Sequence, residues 1–165
     1  MERYRLRPLN ERDAIGMLEW MQDPNISCFF RFDVAAMTLD KCRNFIEQSN
    51  REANVRHWAI VDERDEYMGT ISLKEIDLAK KEAEYAISTR ACAHGTGAAM
   101  AATRQVLEIA FGELELNRVY LKVLAENLRA NRFYVKAGFR YLYCEKAAVE
   151  IQGQLRDLNW YEITP

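Results

Sequence analysis

The segment His94-Gly95-Thr96-Gly97-Ala98-Ala99 stands between a predicted strand and a long predicted helix. Small residues at such a turn let the backbone approach a ligand closely, and the first N–H groups of a helix have no partners within it. Those donors, together with the helix dipole, suit a pyrophosphate. The alternative is a glycine-containing turn that binds nothing, because short glycine patterns recur by chance.

The spacing of this segment differs from two widespread phosphate-binding patterns. It lacks the Gly-Lys-Ser/Thr of a Walker loop, and Met100 stands where the last glycine of G-x-G-x-x-G would be. The net charge of −2 supplies no basic field that would hold nucleic acid or an anionic membrane. A nucleotide-binding or nucleic-acid-binding domain is therefore disfavoured.

Hydrophobic periodicity predicts the elements that must position this turn, in the order β-α-α-β-β-β-α-β-α-β-β. Asn10, with Asp13 at capping-box spacing, begins the first helix, and Thr38 begins the second. The later helices are predicted over residues 98–111 and 130–137, and the strands over 4–6, 57–62, 68–76, 83–88, 119–124, 141–149 and 155–163. The fold class is α/β (α+β), a mixed sheet with helices packed on it.

The composition limits the class of protein. With 49% hydrophobic and 29% charged residues, residues 1–165 are expected to form one globular domain. No apolar stretch has the length of a membrane span and no apolar signal core follows the N-terminus, so we expect a cytoplasmic protein without a membrane partner. Four cysteines without a C-x-x-C pair, and only two histidines, predict no bound metal.

Two segments together resemble the GNAT superfamily of N-acetyltransferases. His94-x-x-Gly97-x-Ala99 fits the family's Q/R-x-x-G-x-G/A turn after the fourth strand, with His94 in place of Gln or Arg. Asn127-x-x-Ala130-x-x-Phe133-Tyr134-x-Lys136-x-Gly138-Phe139 is similar to the family's N-x-x-[SA]-x-x-x-Y-x-K-x-G-F segment. The nearest branch contains ribosomal-protein N-terminal acetyltransferases and small-amine and amino-sugar acetyltransferases. In that branch Ala-Glu also begins the fourth strand, as Ala83-Glu84 does here.

The resemblance implies a central, mixed and mostly antiparallel sheet of about seven strands, flanked by about four helices. It implies an N-acetyltransferase that moves acetyl from acetyl-CoA directly to a primary amine of a small molecule, an amino sugar or a protein N-terminus. The partners implied are acetyl-CoA and that amine, and the chain is expected to be a monomer or a homodimer. The residues that correspond to the family's cofactor contacts are Ile87, His94, Gly95, Thr96, Gly97, Ala98, Ala99 and Asn127.

The substitution at position 94 leaves open how the turn binds the cofactor and which register of the motif applies. Because His94 replaces Gln or Arg, the fixed charge of the family's turn is missing, which favours weaker cofactor binding or a non-catalytic acyl-CoA-binding or interaction module. A second register of the motif would place Cys92 at the Gln/Arg position, although the phase of the following helix favours His94. The family's chemistry requires no acyl-enzyme, and we interpret Cys92 as a bystander thiol.

Two residues are candidates for catalysis. The resemblance implies that Tyr134 protonates the departing CoA thiolate, whereas spacing alone favours a core aromatic residue. Glu84 is the candidate base, since strand alternation places Glu82 and Glu84 on one face with Glu84 the deeper; a surface carboxylate, with water as the base, is the alternative. Asn127 corresponds to a pantetheine contact and suits a helix cap equally well.

The sequence does not identify the acceptor amine. The family shapes its acceptor pocket between the first two helices, where a core lid is the alternative. The aromatic and basic residues of that connection are Trp20, Phe29, Phe30, Arg31 and Phe32. Arg31 and Arg56 would suit an anionic acceptor, and both would equally suit the solvated surface.

Overall fold

The computed structural model describes residues 2–29 and 33–165. Within these residues seven strands form one sheet in the order β1-β2-β3-β4-β5-β7-β6. The strands are β1 Arg5–Arg7, β2 Arg56–Val61, β3 Tyr67–Asp77, β4 Glu82–Thr89, β5 Arg118–Leu124, β6 Arg140–Ile151 and β7 Gln154–Ile163. Neighbouring strands are antiparallel except β4 and β5. The predicted mixed, mostly antiparallel sheet is confirmed.

The helices follow the predicted order with one addition. They are α1 Ala14–Gln22, α2 Pro24–Ser27, α3 Leu39–Gln48, α4 Ala98–Glu108, which continues as a π-helical turn over Ile109–Glu113, and α5 Leu128–Lys136. The Asn10–Asp13 capping box forms, although it caps a 3-10 turn that leads into α1. The short α2 was not predicted: Asp23 caps it and Pro24 occupies its first turn, a position where proline needs no N–H partner.

Helices cover both faces of the sheet. On one face α4 and α5 pack on residues such as Tyr85 and Leu121, with Val106 of α4 fully buried. On the other face α1 and α3 pack against β2 and β3 through Met17 and Cys42, which contact the cluster that includes Ala59, Val61 and Tyr67.

A split in the sheet follows from the pairing of β4 with β5. The two strands pair only through Glu82↔Arg118, Ala83↔Val119 and Glu84↔Tyr120. Beyond Glu84, β4 remains bonded to β3 and β5 remains bonded to β7, so they no longer bond to each other. The edge of β4 over residues 85–89 is therefore open, and it leads to the turn at residues 94–97.

We predict that Gly16→Ala destabilises the fold although alanine favours helix. A Cβ at Gly16 would lie 2.4 Å from Cδ1 of Tyr67, whose hydroxyl is held by Trp20 and Thr70. Overpacking of this kind costs about 1–3 kcal/mol. Gly112→Ala is the control, because its Cβ would meet nothing within 4 Å; it should gain about 0.5–1 kcal/mol. Urea unfolding measures both, and equal stability of Gly16→Ala and the parent would contradict the close contact.

Candidate active site

A cavity of about 900 Å³ occupies the split between β4 and β5. Its walls are the open edge of β4, the turn that begins at His94, and the inner face of α5. A ligand pocket of this size holds a molecule as large as a cofactor. The structure therefore brings the two sequence motifs, about 30 residues apart in the chain, to one cavity.

The two glycines of the turn adopt left-handed backbone conformations. Gly95 has φ +76° and Gly97 has φ +90°, values that other residues adopt only with strain. A Cβ at either position would meet nothing within 4 Å. Glycine is thus required by the backbone, and the space beside it is open to a ligand.

The turn presents unpaired backbone donors at the start of α4. The amides of Gly95, Gly97, Ala99 and Met100 donate to none of the described residues. The Ala98 amide differs, because it donates to Thr96 Oγ1, whose hydroxyl in turn donates to the Ala93 carbonyl. Of the predicted turn residues, Ala98 thus has a buried, structural place. The free amides form an anion-binding arrangement.

Arg129, which the sequence analysis missed, stands beside His94. Its Nη1 donates to His94 Nδ1 at 2.6 Å. Burial, and secondly the Arg129 charge, lowers the pKa of His94, while Asp23 opposes that shift. A neutral His94 accepts from Arg129 through Nδ1, which leaves its proton on Nε2. The fixed charge absent from position 94 is therefore present in the turn, supplied from α5. The sequence could have pointed to Arg129, because this basic residue lies inside the second motif, between Asn127 and Ala130.

The open edge of β4 provides the wall that joins the turn to the interior. Ala86, Ile87 and Ser88 line the cavity. Alternate residues of a strand direct their N–H and C=O groups to the same edge, so an unpaired edge can bind an extended ligand as another strand would. Ile87, a predicted cofactor contact, thus lies in the cavity wall.

Asn127 caps α5. Its side-chain oxygen accepts from the Ala130 amide at 3.3 Å, which confirms the cap. It also lines the cavity. A ligand contact at this residue therefore stays compatible with the cap.

Tyr134 is both a core ring and a cavity residue. The ring packs on Tyr85, Phe139 and Tyr161, and the side chain lines the cavity. Its hydroxyl bonds to none of the described residues, and burial raises the pKa of this phenol well above its usual value. The phenol is thus protonated through neutral and alkaline pH, which is the form that a proton donor needs.

Glu84 is 8% exposed and lines the cavity. Strand alternation places it on the opposite face of β4 from Tyr85, whose ring packs on Tyr134. Lys122 Nζ lies 3.3 Å from its Oε1 and Lys74 Nζ lies 3.8 Å from its Oε2. Glu82 instead pairs with Arg118 at the strand end. The predicted depth of Glu84 is confirmed, and the alternative of a fully exposed surface carboxylate is wrong.

The aromatic residues of the first connection separate in space. Trp20 is buried and donates to the Tyr67 hydroxyl in the core between α1 and the sheet. Phe29 lines the cavity. The remaining predicted residues of this group, Phe30, Arg31 and Phe32, lie outside the described residues.

Two further candidates lie away from the cavity. Arg56 pairs with Glu113 at 2.6 Å and lies over the Trp58 ring, which fits the surface interpretation. Cys92 is exposed and is not among the cavity residues.

Among the helices described, none is long and apolar enough to cross a membrane.

Comparison with known proteins places these features in a family. A family model described as the acetyltransferase (GNAT) domain matches residues 3–140. The N-acetyltransferase p20 of Bacillus licheniformis, itself uncharacterized, is 26% identical and the match covers 98% of this chain and 93% of that protein. The spermidine N(1)-acetyltransferase of Vibrio cholerae is 25% identical over 81% of this chain and 77% of its own length.

Solved structures share the fold. The crystal structure of a probable acetyltransferase has a TM-score of 0.88 at 24% identity and covers 99% of this chain and 94% of its own. Spermidine N-acetyltransferase from Vibrio cholerae, solved in complex with CoA and spermine, has a TM-score of 0.87 at 22% identity, with 98% and 95% covered. At these identities the likeness establishes the fold.

We predict that Arg129→Met raises the pKa of His94. The Arg129 charge disfavours the imidazolium, so its removal lets His94 protonate at higher pH. The chain has two histidines, and nitrogen-detected NMR titration follows both. His57 is the internal control, since burial and the Lys74 charge lower its pKa to about 4 without Arg129. An unchanged His94 titration in the variant would contradict the contact.

Proposed function

The chain belongs to the GNAT acetyltransferase family, and we propose that it moves acetyl from acetyl-CoA directly to a primary amine of a small molecule, an amino sugar or a protein N-terminus. The observation that carries the proposal is the turn, whose four free amides and neighbouring Arg129 face a cavity in the split sheet. We propose residues 1–165 as one acetyltransferase domain.

The cofactor is proposed to span the cavity from the turn inward. Its pyrophosphate would accept from the free amides of Gly95, Gly97 and Ala99, with the Arg129 charge nearby. The pantetheine arm would pair with the open edge of β4 at Ile87 and pass Asn127. Arg129 removes the argument for a non-catalytic module that rested on His94, because the turn keeps a fixed charge.

The transfer step is proposed as a direct attack. The neutral amine nitrogen forms a bond to the thioester carbon, the C–S bond breaks, and the thiolate takes a proton from the Tyr134 hydroxyl. The proton that the acceptor's ammonium loses before the attack goes to Glu84 or to water. The second proton, lost from the nitrogen as the amide forms, passes through solvent to the Tyr134 phenolate and restores its hydroxyl. Held together in one cavity, amine and thioester need no covalent enzyme intermediate. Cys92 lies outside that cavity, in agreement with its interpretation as a bystander.

Gly97→Val is expected to abolish CoA binding. The side chain would enter the open space beside the turn and would also strain a backbone with φ +90°. Gly153→Val is the matched control, because Gly153 has φ +76° and the same open surroundings in the β6–β7 turn. Both should lose about 1–2 kcal/mol of stability. Calorimetry with CoA should show that only Gly97→Val loses CoA affinity. Equal CoA affinity in both variants would mean that the cofactor phosphates bind elsewhere.

Tyr134→Phe is expected to lower kcat about 100-fold or more with CoA affinity nearly unchanged, since it removes the proton donor and keeps the ring. Because burial raises the pKa of the phenol, the parent should lose no activity through its deprotonation up to about pH 10. Tyr67→Phe is the control: it removes a buried hydroxyl outside the cavity, so stability falls and turnover persists. Parent-like turnover of Tyr134→Phe would make Tyr134 a structural residue.

The same assay separates Glu84 from water as the base. In Glu84→Gln the loss should be largest near neutral pH and should shrink at high pH, where the amine deprotonates by itself. A loss of equal size at all pH values would assign Glu84 to positioning.

A further inference from the structure

Basic residues outnumber acidic residues among the described residues that line the cavity. Of the described residues that line it, Glu84 is the only acidic one. Four line it with a full positive charge, namely Lys74, Lys122, Arg129 and Lys136. Arg129 lies at the turn, where it contacts His94. Lys74 and Lys122 lie at the other end, on the strands on either side of Glu84.

The two lysines are too far from the turn to serve the cofactor phosphates. Glu84 precedes the end of β4 at Thr89 by five residues, which is about 16 Å at about 3.3 Å per residue. The turn begins only beyond that point. The cofactor's pyrophosphate can balance Arg129, but it leaves the charges beside Glu84 unchanged.

One carboxylate cannot balance both ammonium groups. Lys122 Nζ is 3.3 Å and Lys74 Nζ 3.8 Å from the Glu84 oxygens. Among residues 2–29 and 33–165 neither lysine pairs with a second carboxylate, so one unit of positive charge remains. The Lys122 ammonium also lies 5.2 Å from the centre of the Trp160 ring, a contact that helps to fix its position. With side-chain exposures of 25% and 39%, both lysines remain accessible to a ligand. Each ammonium carries three donors, more than these contacts use.

We propose, on the basis of the acetyl transfer proposed above, that the acceptor amine carries an anionic group, a carboxylate or a phosphate, a few bonds away. Lys74 and Lys122 bind that group while the amine lies toward the acetyl thioester. A polyamine would bring a further ammonium against these lysines, and like charges at a binding surface oppose association. The substrate named for the Vibrio relative is therefore poorly matched to this cavity.

The test is a panel of amines that share one carbon chain. CoA release is measured with 4-aminobutyrate, 1,4-diaminobutane and butylamine, and 3-aminopropyl phosphate distinguishes a phosphate from a carboxylate. We expect kcat/KM for an acidic amine to exceed that for the diamine about 10-fold or more, the scale of one charge-assisted hydrogen bond. The preference should shrink at high salt, because it is electrostatic.

Substitution of each lysine locates the effect. Lys122→Met and Lys74→Met should each lower the ratio of kcat/KM for 4-aminobutyrate over butylamine, mainly through KM. That ratio cancels any common effect on Glu84. Lys146→Met is the matched control, because Lys146 is exposed on β6, pairs with Asp157 and does not line the cavity. It should leave the ratio unchanged.

The outcomes separate this inference from the proposed function. Better use of the diamine than of both acidic amines, or a ratio that neither lysine variant moves, overturns the anionic acceptor and leaves acetyl transfer intact. If no amine releases CoA, transfer fails, and calorimetry of the same amines with CoA-loaded protein decides the inference. Tighter binding of an acidic amine than of the diamine then supports it, and equal or absent binding overturns it.

Discussion

Every feature of the site depends on the parallel pairing of β4 with β5 ending after Glu84 and Tyr120. Each strand keeps its other neighbour, so the sheet remains continuous at one end and opens at the other. The backbone groups of an unpaired edge need partners, and a bound ligand can provide them. The same divergence separates the turn at Gly97 from α5 by enough space for a cavity.

The cavity also separates charge along its length. At the turn, free amides and Arg129 favour an anion, and the neutral His94 accepts from Arg129 without repelling it. At the closed end, where β4 and β5 still pair, Glu84 lies between two lysines. Tyr134 lines the same cavity with a hydroxyl that burial keeps protonated, on a ring that the core holds in place. A ligand in this cavity meets hydrogen-bond donors at both ends.

Local pattern sufficed for much of this structure. Alternation and capping residues predicted all seven strands and the four longer helices, because side-chain period and cap chemistry act within a few residues. The one-turn α2 escaped prediction, since Asp23-Pro24 serves equally to end one helix and to begin the next. The interpretation of position 94 as uncharged was correct for the residue and incomplete for the turn, because Arg129 joins it from 35 positions away.

The sequence by itself determined the kind of turn, the family and the residues that could act in it, because glycines at positive φ, strand alternation and motif spacing are local properties. Only the tertiary structure decided which of them meet. In the folded chain Trp20 is buried in the core and Arg56 pairs with Glu113 on the surface. The Ala98 amide donates to Thr96, and Lys74 and Lys122 lie beside Glu84. In the sequence, Lys122 is the one charged residue of the apolar run over residues 119–124. Its partner could not be predicted, because cross-strand register depends on which strands pair and where their pairing stops.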